Sequence, residues 1–324
     1  MHDDRPSKTA FRVALRRAAH QVLDDPKVFE DPLALAIVGA DAGELRADET
    51  SQSRVSRVMR AFMAVRSRYA EDGLAAAFEG GTRQYVVLGA GLDTFAYRNP
   101  FPGLRVFEVD HPATQGWKRR RLEAAGIAIP ESMKFAPVDF ENQTLAEGLA
   151  RAGFQTDQKA FFSWLGVVPY LTRSAALETL RFVASLPAGS GIVFDYSLPP
   201  ESLDPVRRQA LEALAARVAA AGEPFQTFFD PPELESELRR LGFASFEDLG
   251  TEEINERYFK DRSDGLRAGG GIGRLMKARV GRAVSKPAGS ISASPAPQPS
   301  RPGSSTTPSS VSGGRTTISI TFET

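Results

Sequence analysis

The chain contains no cysteine, which excludes disulfide bonds, thiolate metal sites and cysteine nucleophiles. It has no run of about 18 apolar residues that could cross a membrane. Neither sign of charge is in excess, because Lys plus Arg and Asp plus Glu both number 40, so nucleic acid is not expected as a partner. The N-terminus lacks the apolar segment and cleavage site of a secretory signal. Together these absences predict a cytoplasmic protein.

Metal-ligand patterns are also missing, since the three histidines form no spacing such as H-E-x-x-H. We therefore expect no metal. The composition, 42% hydrophobic and 25% charged, is instead that of a globular protein with a sizeable core.

Composition divides the chain into three parts. Residues 1–83 show helical periodicity, as in "FRVALRRAAHQVLDD", and a second amphipathic stretch is closed by Gly80 and Gly81. From residue 284 the chain is rich in Ser, Pro, Gly and Thr and has few large apolar residues, so it cannot offset its ordering entropy. We predict an N-terminal helical cap over 1–83, a core over 84–283 and a disordered tail over 284–324.

Short apolar runs alternate with helical patterns in the core. Such runs separated by helices indicate a parallel sheet covered on both faces, and hence a doubly wound α/β fold. The predicted strands are 84–89, 105–110, 133–139, 160–165 and 190–196, with two more near 244–249 and 272–280. The predicted helices are 112–125, 143–152, 173–186, 202–221 and 232–241.

A glycine turn follows the first predicted strand, in "QYVVLGAGLDTFAYR". Gly89 and Gly91 allow a sharp bend and a close ligand approach where a helix should begin. Thr94 replaces the third glycine of dinucleotide sites, and Asp93 places a negative charge where a pyrophosphate would lie. The turn therefore favours a ligand without phosphates, although a purely structural turn remains an alternative.

Acidic residues end the next two strands. Asp110 follows the glycines by about twenty residues, as expected for a carboxylate that binds a ribose diol, although it could instead cap the helix after Pro112. Asp139 with Phe140 suits an adenine, the first accepting from the exocyclic amine and the second packing on the ring. An adenosine without phosphates points to S-adenosyl-L-methionine.

The methionine carboxylate of such a cofactor needs a cationic partner. Arg66 and Arg68, on the helix before the first strand, are the candidates, because arginine binds carboxylates in a bidentate manner. A solvated arginine is the alternative for either residue.

Several segments, in order, resemble one known family: "SKTAFRVALRRAAHQ", "VFEDPLALAIVG", "VRSRYAEDGL", "QYVVLGAGLDTFAYR", "FEVDHPATQGWKR", "FAPVDF", "FFSWLGVVPYLT" and "VFDYSLPP". The family is that of bacterial, mycobacterial-type S-adenosyl-L-methionine-dependent methyltransferases similar to leucine carboxyl methyltransferase. The resemblance covers residues 7–280 and implies a class I methyltransferase (Rossmann-like) fold, with seven strands of which the last is antiparallel, and an N-terminal helical cap.

The resemblance also implies roles for single residues. Asp110 would bind the ribose, Asp139 with Phe140 the adenine end, and Gly89 would lie under the cofactor. Arg66 matches the arginine that holds the methionine carboxylate, and Lys8 would assist Arg66 in binding it. Many relatives have an acid before "PYL", and the segment "FSWLGVVPYL" has none.

The predicted activity is O-methylation of a carboxylate or hydroxyl of a small molecule by in-line transfer, which needs a positioned acceptor and exclusion of water. We name no catalytic residue: His111 fits a helix entry, and Tyr170 and Tyr196 fit either a pocket wall or packing. The alternatives are an NAD(P)-dependent oxidoreductase and a binding module without turnover.

Overall fold

The structure is a computed structural model that describes residues 8–48, 53–140, 142–220 and 222–281. The predicted tail, 284–324, lies outside the described residues, as does the side chain of Lys8. The helices are α1 (Lys8–Leu23), α2 (Ala34–Val38), α3 (Ala42–Ala47), α4 (Arg54–Glu79), α5 (Pro112–Ala124), α6 (Leu145–Arg151), α7 (Arg173–Ala184), α8 (Pro205–Ala219), α9 (Pro231–Leu241) and α10 (Thr251–Tyr258). The strands are β1 (Gln84–Leu88), β2 (Arg105–Asp110), β3 (Met133–Pro137), β4 (Ala160–Trp164), β5 (Gly191–Ser197), β6 (Phe243–Leu249) and β7 (Gly273–Val280).

The seven strands form one sheet in the order β3-β2-β1-β4-β5-β7-β6. Strands β1 to β5 pair in parallel, and β7 runs antiparallel to both β5 and β6. The chain changes direction across the sheet between β1 and β4, and ligands of open α/β sheets bind outside the carboxyl ends of the strands at such a switch point. The sheet therefore places a candidate site beyond β1, β2 and β4.

Both faces of the sheet are buried, because every residue of β1 and β4 is enclosed. Val86 and Leu88 pack into the hydrophobic cluster on one face, whereas Tyr85 and Val87 pack into the cluster on the other. Side chains of a strand alternate between faces, so a run that is apolar throughout requires helices on both sides.

Helix α4 lies close to the sheet and ends where its glycines predict. A Cβ at Gly73 would lie 2.8 Å from the ring of Phe161 on β4, so only glycine permits this approach. The last helical residue is Glu79, with Gly80 as the C-cap. Arg66 stands seven residues before Gly73, about 10 Å along the helix axis, which brings it level with the carboxyl ends of the strands.

Helix α1 packs through its small residues Ala14, Ala18 and Ala19, which are buried, while Phe11 is partly buried. The predicted apolar face is thus the packed face. Arg17 lies on the buried side as well, with 5% of its surface exposed, and this was not predicted from the pattern.

One predicted element is wrong. The helix expected after the glycine turn is a single 3-10 turn, Phe95–Tyr97. Pro100 explains the difference, because a proline disfavours helical geometry in the residue before it and ends a helix there.

Candidate cofactor site

The ends of β1, β2 and β3 lie side by side. In the register of the sheet Leu88 is paired with Val109, and Asp110 with Pro137. Backbone bonds continue past the strands, since the Ala90 N–H donates to Val109 O and the Val138 N–H donates to Asp110 O, both at 3.0 Å. The three sequence motifs therefore meet at one edge of the sheet, as the sequence predicts.

Asp110 holds the glycine turn in place. Gly89 and Gly91 have φ values of 62° and 45°, in the left-handed region that favours glycine. The Gly91 N–H donates to Oδ2 of Asp110 at 2.6 Å, and the His111 N–H donates to Oδ1 at 2.7 Å. Burial raises the pKa of Asp110, and these two backbone donors oppose the rise. The carboxylate thus ties β2 to the turn after β1.

His111, rather than Asp110, is the N-cap of α5. Its Nδ1 accepts from the Ala113 N–H at 3.2 Å. The helix-entry interpretation of His111 is therefore confirmed, and the alternative that Asp110 serves only as the cap is wrong.

Asp139 and Phe140 follow β3 directly. The side chain of Asn142 donates to Oδ2 of Asp139 at 2.7 Å, and the N–H groups of Asn142 and Gln143 donate to its carbonyl oxygen. The ring of Phe140 is largely in solvent, with 58% of the residue exposed. The exposed ring of Phe140 lies beside these strand ends, and its face is accessible to a flat ligand.

Arg66 is 5% exposed and forms an ion pair that sequence reasoning missed. Its Nη1 donates to Oδ2 of Asp195, on β5, at 2.9 Å, and the Gly166 N–H donates to Oδ1 at 2.5 Å. A Cβ at Gly166 would lie 2.8 Å from the Arg66 guanidinium, so the group rests directly on this glycine. Arg68, the other candidate, is half exposed and pairs with Asp72 within its own helix at 2.7 Å. Of the two arginines, only Arg66 faces the strand ends.

Arg17 fastens α1 to the glycine turn. It donates to the carbonyl oxygen of Leu92 at 2.7 Å and lies 3.6 Å from the carboxylate of Asp93 and 3.3 Å from that of Asp31. Thr94 donates to Asp31 at 2.7 Å. The negative charge of Asp93 is therefore paired with the cation of Arg17. Asp93 would repel a pyrophosphate less strongly than its charge alone predicts.

Two side chains cover the glycines. A Cβ at Gly89 would lie 2.4 Å from Cγ2 of Val167, in the segment after β4, and a Cβ at Gly91 would lie 3.1 Å from Ala10 of α1. A ligand that lies against Gly89, as the resemblance implies, therefore needs Val167 to turn aside.

The two tyrosines differ in their surroundings. Tyr196 is 1% exposed and donates to Asp248 at 2.8 Å, which is a packing role. Tyr170 packs against Phe225, with ring centroids 5.3 Å apart, and burial raises its pKa to about 12, with smaller effects of nearby charges that include Arg66. Tyr170 is therefore the tyrosine on the side of the candidate site.

Positive charge collects beside Arg66. The pKa of Arg16, on α1, is lowered by burial and then by the repulsion of Arg12, Arg217 and Arg66. Arg16 is therefore within electrostatic range of three other guanidinium groups, of which Arg66 is paired with Asp195.

Within the described ranges, no group of three or more His, Asp or Glu residues has the arrangement of a metal site. Every helix in the described part of the chain is too short or too polar to cross a bilayer.

Comparisons with known proteins settle the family. The sequence profile described as leucine carboxyl methyltransferase matches residues 10–184. The chain belongs to this family. A candidate S-adenosyl-L-methionine-dependent methyltransferase of Bacillus subtilis, YktD, is 33% identical over 295 residues, which cover 83% of this chain and 96% of YktD. One from Mycobacterium marinum is 35% identical over 214 residues, covering 62% of this chain and 69% of that protein.

Solved structures show the same fold. A candidate methyltransferase from Thermobifida fusca superimposes with a TM-score of 0.53 at 16% identity, over 86% of this chain and 97% of the other. A protein of Streptomyces avermitilis from a family of unknown function superimposes with a TM-score of 0.52, also at 16% identity, over 85% of this chain and 98% of the other. The predicted family, the class I methyltransferase fold and the predicted cofactor, S-adenosyl-L-methionine, are thereby confirmed.

Proposed function

We propose that this methyltransferase transfers a methyl group to an oxygen of a small molecule, most simply a carboxylate. The observation that carries the proposal is the position of Asp110, Phe140 and Arg66 beyond the ends of neighbouring strands of one sheet, with Arg66 within electrostatic range of Arg16. The family to which the chain belongs bears the name of a carboxyl methyltransferase, which supports the same acceptor class.

The residues fit the cofactor. Asp110 has a carboxylate with room for about four hydrogen bonds, and the backbone donors of Gly91 and His111 and the hydroxyl of Thr114 take three of them. The position that is left suits one hydroxyl of the ribose. Phe140 would pack on the adenine while Asp139 accepts from its amine, and Arg66 would hold the methionine carboxylate. The backbone of Gly89 and Gly91 would pass beneath, once Val167 has turned aside.

Methyl transfer to a carboxylate requires no general base from the protein. The cofactor supplies an electrophilic methyl group on a sulfonium, and a carboxylate is already ionised at pH 7. The chain's own work is to hold the acceptor oxygen about 3–3.5 Å from that carbon, in line, and to exclude water. Val167 and the first turn of α1, which cover the glycines, are placed to exclude water.

The arginine cluster favours an anionic acceptor. Arg16 lies with Arg12, Arg217 and Arg66 on the same side as Tyr170, and its pKa is lowered first by burial and then by the repulsion of these three arginines. An acceptor carboxylate placed here relieves that repulsion and gains charged hydrogen bonds. A neutral alcohol would gain neither, and it would also need a general base.

The test is methyl transfer itself. Radiolabelled cofactor is incubated with the protein and a library of small carboxylic acids and alcohols, and products are sought by a gain of 14 daltons in mass. Methyl esters release labelled methanol in mild alkali, whereas methyl ethers do not, so the treatment separates the two acceptor classes. Stable labelled ethers would overturn the carboxylate acceptor.

Two further outcomes would contradict the proposal more broadly. Binding of S-adenosylhomocysteine with no labelled product across the library would indicate a binding module without turnover. Tight binding of NAD(H), with no response to S-adenosylhomocysteine, would instead indicate an oxidoreductase.

A further inference from the structure

Asp195 lies at the proposed methionine end of the site, because it is paired with Arg66 at 2.9 Å. It lies on β5, with 9% of its side chain exposed, and it contacts both Arg66 and the backbone of Gly166. Gly166 follows β4, so the carboxylate joins three elements: α4, β5 and the segment after β4. The strand segment itself contributes no acid here, because Leu165 is apolar and packs into the core.

The ion pair keeps hydrogen-bonding capacity. A carboxylate accepts about four hydrogen bonds and a guanidinium donates five. The described contacts of Asp195 use two of its positions, one to Gly166 and one to Nη1 of Arg66. Asp195 and Arg66 can therefore both bind a ligand while the ion pair between them is kept.

The charges of this pair match those of a free amino acid. The α-ammonium and α-carboxylate of an amino acid are neighbours of opposite sign, and the charged atoms of Arg66 and Asp195 are 2.9 Å apart. A zwitterion can lie against the pair with each charge facing its opposite. A single arginine would satisfy only the carboxylate and leave the ammonium without a partner, which costs free energy in a site closed to water.

The backbone fixes the orientation of the pair. Gly166 has a φ of 72° and no side chain, so the guanidinium lies on it, while its N–H holds the carboxylate of Asp195. A binding pair that is held before the ligand arrives loses less entropy on binding.

We propose that Asp195 binds the α-ammonium group of the cofactor while Arg66 binds its α-carboxylate. The inference rests on the proposed function, because it assumes that the methionine part of the cofactor lies at Arg66. In this proposal the acidic partner of the α-ammonium group comes from β5, because the segment after β4 has an apolar residue, Leu165, and no acid in its place.

The experiment is isothermal titration of wild-type protein and Asp195→Asn with three ligands. S-adenosylhomocysteine carries both charges, 5′-methylthioadenosine lacks the amino acid, and the deaminated analogue of S-adenosylhomocysteine keeps the carboxylate alone. Loss of one charged hydrogen bond lowers affinity about tenfold to a hundredfold, so Asp195→Asn should bind S-adenosylhomocysteine more weakly by that factor. Its affinity for the other two ligands should equal that of the wild type.

Asp248→Asn is the matched control, because Asp248 also pairs with an arginine, Arg274, at 3.0 Å, on the neighbouring strands β6 and β7. It should leave all three affinities unchanged. Equal affinity of Asp195→Asn and wild type for S-adenosylhomocysteine would overturn the inference. An equal loss for 5′-methylthioadenosine would indicate a merely structural role, and a loss that persists with the deaminated analogue would mean that Asp195 only holds Arg66. Failure of the wild type to bind S-adenosylhomocysteine would refute the proposed function instead.

Discussion

Replacing Asp110 by Asn tests the ribose contact of the proposed site. Of about four acceptor positions on the carboxylate, the Gly91 and His111 N–H groups occupy two, at 2.6 and 2.7 Å. The side-chain hydroxyl of Thr114 is a third partner, which leaves about one position for the ribose. A hydrogen bond to a charged acceptor contributes roughly 1.5–3 kcal/mol. Asp110→Asn should therefore weaken binding of S-adenosylhomocysteine by about 2 kcal/mol, or about 30-fold in Kd.

The assay must separate the ligand contact from the glycine turn, because Asp110 also holds Gly91. Titration calorimetry gives the Kd, and urea unfolding without ligand gives the cost to the fold. Asp41→Asn is the control, since Asp41 likewise accepts two backbone N–H groups, from Gly43 and Glu44, at the start of α3. A folded Asp110→Asn protein whose Kd lies within about threefold of the wild type would refute the reasoning, because a charged hydrogen bond is worth more than that.

Four other predictions concern separate parts of the molecule. Phe140→Ala should leave Tm unchanged, because the ring is 58% exposed. It should raise the Kd of S-adenosylhomocysteine about threefold to tenfold, because the adenine loses its stacking partner. A large fall in Tm would show that the ring packs in the core. Arg16→Gln should lower kcat/KM for an acidic acceptor while the Kd of S-adenosylhomocysteine stays the same. A change in that Kd alone would mean that Arg16 contributes to cofactor binding and not to acceptor binding. Burial raises the pKa of Glu108 to about 7 from 4.5 despite its ion pair with Lys118, so the native state binds this proton more tightly than the unfolded state. The free energy of unfolding should therefore fall as pH rises through that window, and urea titrations should show that Glu108→Gln removes the fall; an unaltered pH profile would contradict the shift. Deletion of 284–324 should leave Tm nearly unchanged in calorimetry, and a large drop would show that the tail is folded.

The positions of the central strands were predictable because burial on both faces favours apolar residues along most of their length. The runs at 84–89 and 105–110 correspond to β1 and β2 within one residue. The predicted third strand, 133–139, ends earlier, at Pro137, because the carbonyl oxygen of Asp139 already accepts the turn bonds of Asn142 and Gln143. Local chemistry at the end of a strand sets its boundary, and apolar patterning does not report it.

Contacts between distant segments were not predictable. The pair of Arg66 and Asp195 joins residues 129 positions apart, and no periodicity within either segment marks it. Asp195 could have been noticed as a charged residue inside an otherwise apolar strand, since burial of an unpaired carboxylate is costly. Its partner, however, follows only from the packing of α4 against the sheet. The cover that Val167 and Ala10 form over the glycines is equally a property of tertiary structure.

The bond between Arg17 and Leu92 has a consequence for synthesis. The two residues are 75 positions apart, so helix α1 leaves the ribosome well before the turn that receives its guanidinium. The apolar side of α1 can pack against α2 as soon as Ile37 and Val38 have emerged, whereas the bond of Arg17 to Leu92 must wait until the glycine turn has been made.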